Sequence, residues 1–144
     1  MNKYIQTLKN SSVFSDIPEK QIKAVFELRS ICLAGYTPDL SGCHICGATD
    51  HLCLNITDGC LECNDCVRYH TGGLRIPVTA GVLDAMRYII FCDSKKVFSF
   101  SLPESSMDQL SNITEVYFST QLERGFSALD FYKTLIFTSD EPYI

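Results

Sequence analysis

Long apolar runs are missing from this sequence, and positive charge is scarce. The longest apolar stretch, Tyr88 to Cys92 (YIIFC), is far too short to span a bilayer. The opening MNKYIQTLKNSS mixes Lys, Asn, Gln and Ser and lacks the apolar segment of a signal peptide. A cytoplasmic protein with no membrane partner is expected. Twelve Lys and Arg stand against seventeen Asp and Glu, a net charge of −5, and Lys95–Lys96 is the one basic pair. Proteins that hold nucleic acid through its phosphates concentrate cations on one face, so strong autonomous DNA binding is not expected. Catalytic signatures are absent too: there is no Gly-rich phosphate loop, HExxH, GxSxG or paired-carboxylate motif. His44, His51 and His70 come without a recognisable nucleophile motif, so the protein is expected not to be an enzyme.

Cysteine, by contrast, is abundant. The segment CHICGATDHLCLNITDGCLECNDC, Cys43 to Cys66, holds six of the eight. In a reducing compartment such clusters serve as metal ligands or catalytic thiols more often than as disulfides. Two CxxC turns, Cys43/Cys46 and Cys63/Cys66, can aim four sulfurs at one ion, the tetrahedral S₄ set that Zn²⁺ prefers. Sixteen residues separate Cys46 from Cys63, inside the zinc-ribbon window of roughly 15–20. Gly47 follows the first pair, where the knuckle needs a residue tolerant of positive φ. Cys60 offers a competing CxxC with Cys63, but that choice leaves thirteen residues between the motifs.

The intervening chain reads as a hairpin, with Leu52, Leu54 and Ile56 alternating before an Asp58–Gly59 turn. Across a two-residue turn Leu54 faces Cys63, and Cys60 points to the opposite face with Cys53. The predicted ligands are therefore Cys43, Cys46, Cys63 and Cys66, around one Zn²⁺. Four thiolates close the coordination shell and leave no position for water, so this zinc is expected to be structural. The ribbon contains no Lys or Arg between Cys43 and Cys66, against Asp50, Asp58, Glu62 and Asp65, which argues against phosphate contacts. His44 and His51 read as loop residues, Cys53 and Cys60 as small hairpin side chains, and Cys32 and Cys92 as core.

Helices flank the ribbon. SDIPEKQIKAVFELRSICLAG offers Asp16 as N-cap, Glu19 as its capping-box partner, Pro18 in the first turn and Gly35 as stop. Ile22, Val25, Phe26, Ile31 and Leu33 supply its apolar surface, and Asn2–Leu8 reads as a short helix before it. IPVTAGVLDAMRYIIFC has Thr79 as N-cap and Val82, Leu83, Met86, Ile89 and Ile90 at helical spacing, after a Gly72–Gly73 loop. KVFSFSLP alternates Phe98, Phe100 and Leu102, as a short strand or as a connection whose aromatics plug a helical core. SSMDQLSNITEVYFSTQLERG reads as another helix with Met107, Leu110, Ile113, Tyr117 and Leu122 inward. FSALDFYKTLIF reads as a last one, its Phe126, Leu129, Tyr132 and Leu135 taken as core. The expected fold is mainly α, a helical bundle with an inserted Cys₄ zinc ribbon formed by a small β-hairpin. One domain spans 1–144, with helical parts 1–42 and 67–144 and the ribbon insert at 43–66.

The block FELRSICLAGYTPDLSGCHICG, Phe26 to Gly47, resembles the signature of the C-terminal domain of the RecO family of recombination mediators. DGCLECNDC resembles that family's Gly-Gly stretch and second CxxC, with Cys60 where the second glycine stands; this too selects Cys63 and Cys66. LERGFSALDFYKTL looks like the family's closing helix. The resemblance covers about residues 20–137. It implies DNA repair and recombination through the RecF pathway, in partnership with RecR, single-stranded DNA, the single-stranded-DNA-binding protein (SSB) and the RecA recombinase, with annealing and RecA loading as the activities. The family's N-terminal OB-fold barrel has no room in this chain, which is then either a C-terminal piece or a barrel-less relative. The helical domain of the family is implicated in docking the acidic, Phe-terminated SSB tail. Such a tail needs an apolar notch and a cation, and Arg75 and Arg87 are the candidates, while Glu27 and Arg29 read as interhelical. The competing readings are a zinc-ribbon nucleic-acid-binding or transcription-related module and a thiol redox switch using Cys53, Cys60 or the knuckle thiols.

Overall fold

A computed structural model describes residues 16–69 and 72–139. The expected helix at Asn2–Leu8 and His70 lie outside them. Among the described residues, three helices pack against one face of a small four-stranded sheet. In chain order these are helix α1 (Glu19–Leu33), strands β1 (Asp39–Cys43), β2 (Leu52–Asn55) and β3 (Cys60–Cys63), a 3₁₀ turn (Cys66–Tyr69), strand β4 (Arg75–Pro77), helix α2 (Ala80–Phe91), a 3₁₀ turn (Ser94–Lys96) and helix α3 (Glu104–Ser139). The strand order is β1-β3-β2-β4, with β1 parallel to β3 and the other pairs antiparallel. The sheet thus recruits residues on both sides of 43–66.

Helix α1 starts two residues later than its capping signal suggests. Pro18, at φ −56° and ψ 140°, is the N-cap, and no side chain caps the helix. The Asp16/Glu19 capping box does not form, because the Pro18 carbonyl itself receives the Gln21 and Ile22 amides at 3.0 and 3.2 Å. The C-terminus behaves as expected. Gly35 takes φ +98°, and its amide reaches Cys32 O while the Tyr36 amide reaches Ile31 O, both at 3.0 Å. That pair of bonds is a Schellman closure, which needs a residue free to enter the left-handed region. Beyond Ile31 the helix leaves the core, so Leu33 is 88% exposed; Phe26, within the packed stretch, is half-buried. These two expected core positions are corrected.

Inward residues of the three helices, including Leu28, Ile31, Val82, Met86, Leu110 and Ile113, form one cluster with Leu52, Leu54 and Leu61 of the sheet. Polar side chains fix the helices to one another. Gln21, itself buried, donates to Phe98 O and Phe100 O at 3.1 and 2.9 Å. The segment Phe98–Leu102 is therefore a connection plugging the core rather than a strand. Arg29 donates to Ile89 O, Ile90 O and Cys92 O at 3.2–3.5 Å and to Ser94 Oγ at 2.7 Å. It thereby satisfies the orphan carbonyls at the end of α2, where a cation is also favoured by the helix dipole. Thr79 stands at the N-cap of α2, but its hydroxyl donates to Gln109 Oε1 at 3.0 Å instead of accepting from the helix.

Glu27 is buried between α1 and α3, held by Lys23 Nζ at 2.7 Å and by the Thr114 hydroxyl at 3.5 Å. Burial is the largest influence and raises its carboxyl above the ordinary value of 4.5, against the lowering effect of Lys23. A raised folded-state pKa means that its contribution to stability is complete below about 4.5 and is lost as pH rises through the folded value. Glu27→Gln is expected to remove that part of the decline. Urea midpoints of the two proteins between pH 4 and 7 test this; parallel curves would refute it.

The largest departure lies at the C-terminal end. The two helices expected there are one continuous helix of 36 residues, about 54 Å long. Gly125 does not break it, since helix φ and ψ are open to glycine at a cost of only about 1 kcal/mol. Met107, Leu110, Ile113 and Tyr117 face the core as expected. The core ends near Gln121, whose Nε2 donates to Ile56 O at 2.7 Å. Phe126, Leu129, Tyr132 and Leu135 are not core: they are exposed, at 62, 45, 59 and 53%. By helical periodicity Ala128, Leu129, Phe131, Tyr132, Leu135 and Ile136 share a face roughly 160° wide, in line with Leu110 and Tyr117. The stripe that builds the core simply runs on beyond the body.

Candidate metal centre

Strand alternation and two turns assemble the cysteines. β2 and β3 pair with Leu52 opposite Cys63, Leu54 opposite Leu61 and Asn55 opposite Cys60. The connecting loop is therefore four residues, Ile56–Gly59, and Leu54 does not face Cys63 as a two-residue turn requires. Asn55 sets this loop. Its Oδ1 accepts from the Asp58 amide at 3.0 Å and its carbonyl from the Gly59 amide at 2.8 Å. The register differs from expectation by an even number of residues, so every side chain keeps its face. Cys63 shares the face of Leu54 and Leu61, while Cys60, Glu62 and Cys53 lie on the other.

β1 delivers Cys43 to the same end of the sheet. The amide of Cys43 donates to Ala48 O, and that of Gly47 to Cys43 O, both at 2.8 Å. This closes a knuckle in which Gly47 takes φ +79°, as the sequence requires. The His44 amide reaches across to Leu61 O at 2.9 Å, tying the first knuckle to β3. The second knuckle opens the 3₁₀ turn, with the Cys66 amide 3.4 Å from Cys63 Sγ.

The outcome is a cluster of Cys43, Cys46, Cys63 and Cys66 whose sulfurs all lie within 4.8 Å of one another and could hold a metal ion. Cys46 Sγ and Cys63 Sγ are 3.6 Å apart, against about 3.8 Å for the edge of a tetrahedron with 2.3 Å Zn–S bonds. Cys60 is not in this group. Burial opposes thiolate formation at Cys43, yet backbone N–H groups of Cys46, Cys63 and Ile45 outweigh it and hold that thiol at about 6. The Cys63 thiol beside it, together with burial, drives Cys66 upward. Cys43 is thus the thiol inclined to ionise, while those of Cys46 and Cys66 are pushed up.

A shallow depression beside the cluster is lined by Asp50, His51, Asn64, Asp65 and Arg68. Its one cation, Arg68, is already 4.0 Å from Asp65.

Glu62 is the functional-looking residue that the sequence reading missed. It is fully buried on the opposite face, paired to Arg75 Nε at 2.5 Å, with Asn55 Nδ2 at 3.1 Å and His44 Nε2 at 3.4 Å from its Oε1. Burial pushes its carboxyl up, but the hydrogen bonds from Arg75 and Asn55 dominate and bring it down to about 2. Its alternation with Leu61 and Cys63 disclosed its face. Only β4, which brings Arg75 alongside β2, discloses what covers it. Of the two expected docking cations, Arg75 is in this ion pair. Arg87 donates through Nε and Nη2 to Leu40 O at 2.9 and 2.8 Å and through Nη1 to Asp84 at 3.2 Å. No helix among the described residues is long and apolar enough to cross a membrane.

Comparison with known proteins adds sequence relationships to this geometry. A family model described as "Recombination protein O C terminal" matches residues 3–130. The DNA repair protein RecO of Acetivibrio thermocellus is 34% identical over 117 residues, covering 80% of this chain and 46% of that relative. The chain therefore spans about half the length of the curated relative it matches. No solved structure matches the chain.

Proposed function

The chain belongs to the RecO family, as its C-terminal domain, and from that premise we propose that it is a non-enzymatic docking module of DNA repair with one structural Zn²⁺. The proposed ligands are Cys43, Cys46, Cys63 and Cys66. Four thiolates give the ion a closed shell, so its contribution is to hold β1, β3 and the 3₁₀ turn together rather than to activate water. Residues 1–144 act as a single domain in this reading.

The observation that carries docking over direct DNA binding is the face of α3 from Ala128 to Ile136. It presents exposed Leu, Phe and Tyr side chains and no charge, the composition of a protein-binding patch and not of a phosphate-binding one. The ribbon, free of Lys and Arg, supports the same choice. The acidic, Phe-terminated tail of SSB is the proposed ligand. Arg87, whose side chain is 35% exposed, is the more accessible cation for its carboxylates, and Arg75, at 16%, contributes less. RecR contact, strand annealing and RecA loading belong in this proposal to the complete repair machinery, in which this domain is one part.

Fluorescence anisotropy with the tail peptide and with labelled single-stranded DNA, each at two salt concentrations, tests the reading. Saturable tail binding, weakened several-fold by Arg87→Ala, with weak DNA binding is the expected result. Tight DNA binding that falls steeply with salt would favour the nucleic-acid-binding alternative instead.

A further inference from the structure

We propose that His44, Cys60 and Glu62 form a second site for a divalent transition-metal ion of the Zn²⁺ class, on the face of the sheet opposite the four-cysteine cluster. The period of two along β3 makes this possible. Leu61 and Cys63 point one way, and Cys60 and Glu62 the other. His44 follows Cys43 directly and is placed beside Glu62 by the bond from its amide to Leu61 O at 2.9 Å.

One ligand atom from each of the three residues lies within 4.8 Å of the other two. His44 Nε2 and Glu62 Oε1 are 3.4 Å apart, already the spacing of two donors on one ion. An imidazole nitrogen, a thiolate and a carboxylate oxygen together are borderline ligands that suit Zn²⁺, Co²⁺ or Ni²⁺ and not Mg²⁺ or Ca²⁺.

Glu62 is prepared for this role by its other contacts. Its Oε2 is taken by Arg75, which fixes the plane of the carboxylate and leaves Oε1 toward His44. Asn55 Nδ2, which also reaches Oε1, has Asp58 Oδ2 at 3.1 Å as an alternative acceptor. Arg75 then stands as an orienting partner behind a first ligand, and its positive charge lowers the affinity. Burial first, and then the carboxylates of Glu62, Asp58 and Asp39, push the Cys60 thiol up to about 11, so it would ionise only as the cation enters. Glu62 is buried, Cys60 is half-buried and His44 is exposed, so the ion would be reached from solvent past the imidazole. Three protein ligands leave one coordination position, open to water or to a donor from a partner. Such an ion exchanges faster than one enclosed by four thiolates.

The test is metal stoichiometry and Co²⁺ absorption of the full chain equilibrated with excess Zn²⁺ or Co²⁺ and freed of loose metal. Two ions per chain are expected, one of them removed first by a weak chelator. Cys60→Ser and His44→Gln should each halve the bound metal while keeping the tetrathiolate Co²⁺ spectrum, which also certifies that the ribbon is folded. The wild-type Co²⁺ spectrum minus that of Cys60→Ser isolates the mixed N/S/O spectrum of the second site. One ion in the wild type, or two in both Cys60→Ser and His44→Gln, would overturn the proposal.

Discussion

Cys63→Ser is expected to release the structural metal and to unfold the ribbon, the largest effect of any single substitution in this chain. Structural zinc contributes about 10–16 kcal/mol in isolated finger peptides, as much as the whole stability of a typical domain, about 5–15 kcal/mol. Cys63 also sits in β3, which pairs with both β1 and β2, so losing its thiolate loosens three strands. Metal analysis after anaerobic purification, with far-UV circular dichroism, is the measurement. Wild type should carry the tetrathiolate ion, Cys63→Ser should lack it, and Cys60→Ser should keep it together with near-native helicity. The reverse order of the two variants would reassign the ligands to Cys60. Metal near zero in the wild type would remove the zinc reading altogether. Mild peroxide offers a second discrimination: a structural site should retain its zinc, whereas a thiol redox switch would release it and form disulfides.

Arg75→Ala should destabilise the fold well beyond the loss of a surface pair, because it leaves the carboxylate of Glu62 charged and buried without its ion partner. The folded state holds Glu62 ionised at about 2 through Arg75 and Asn55, and neither Asn55 nor His44 replaces a guanidinium. The double variant Arg75→Met/Glu62→Leu should recover most of the loss, since a buried pair replaced by apolar groups of similar volume is often neutral. Urea denaturation of the single and double variants decides the matter. A loss below about 1 kcal/mol in Arg75→Ala would mean that the pair behaves as a surface ion pair.

Much of the local structure was legible because it depends on neighbours in sequence. The cysteine spacing, the glycine after the first knuckle and the Schellman stop at Gly35 all follow from backbone geometry over a few residues. Helix α2 was legible from its apolar period. The faces of β2 and β3 survived an error in loop length because the error was even. The capping box at Asp16 failed for an equally local reason, the fixed φ of Pro18 supplying a different start. Where two distant segments must meet, local signals gave out. β1 and β4 are short, five and three residues, and neither has enough alternation to announce a strand. Asp39–Cys43 pairs in parallel with β3, across the intervening β2, and nothing within five residues encodes that choice. Arg75 looked like a cation available to a partner until β4 laid it against Glu62.

The stripe on α3 marks the boundary most plainly. Apolar residues at helical spacing establish that a helix forms and which way its face points, because period and side-chain direction are properties of one segment. Whether that face is buried is a property of everything else. The first half of α3 meets α1 and the sheet; the second half carries the same pattern past Gln121, where the described body ends. The sequence by itself determined the cysteine quartet, helices α1 and α2 and the family. The tertiary structure decided the four-stranded sheet, the burial of Glu62 with Arg75, the placing of Cys60 beside His44, and the exposure of Phe131 and Tyr132. Each of these depends on contacts between segments far apart in the chain, whose energies no local periodicity records.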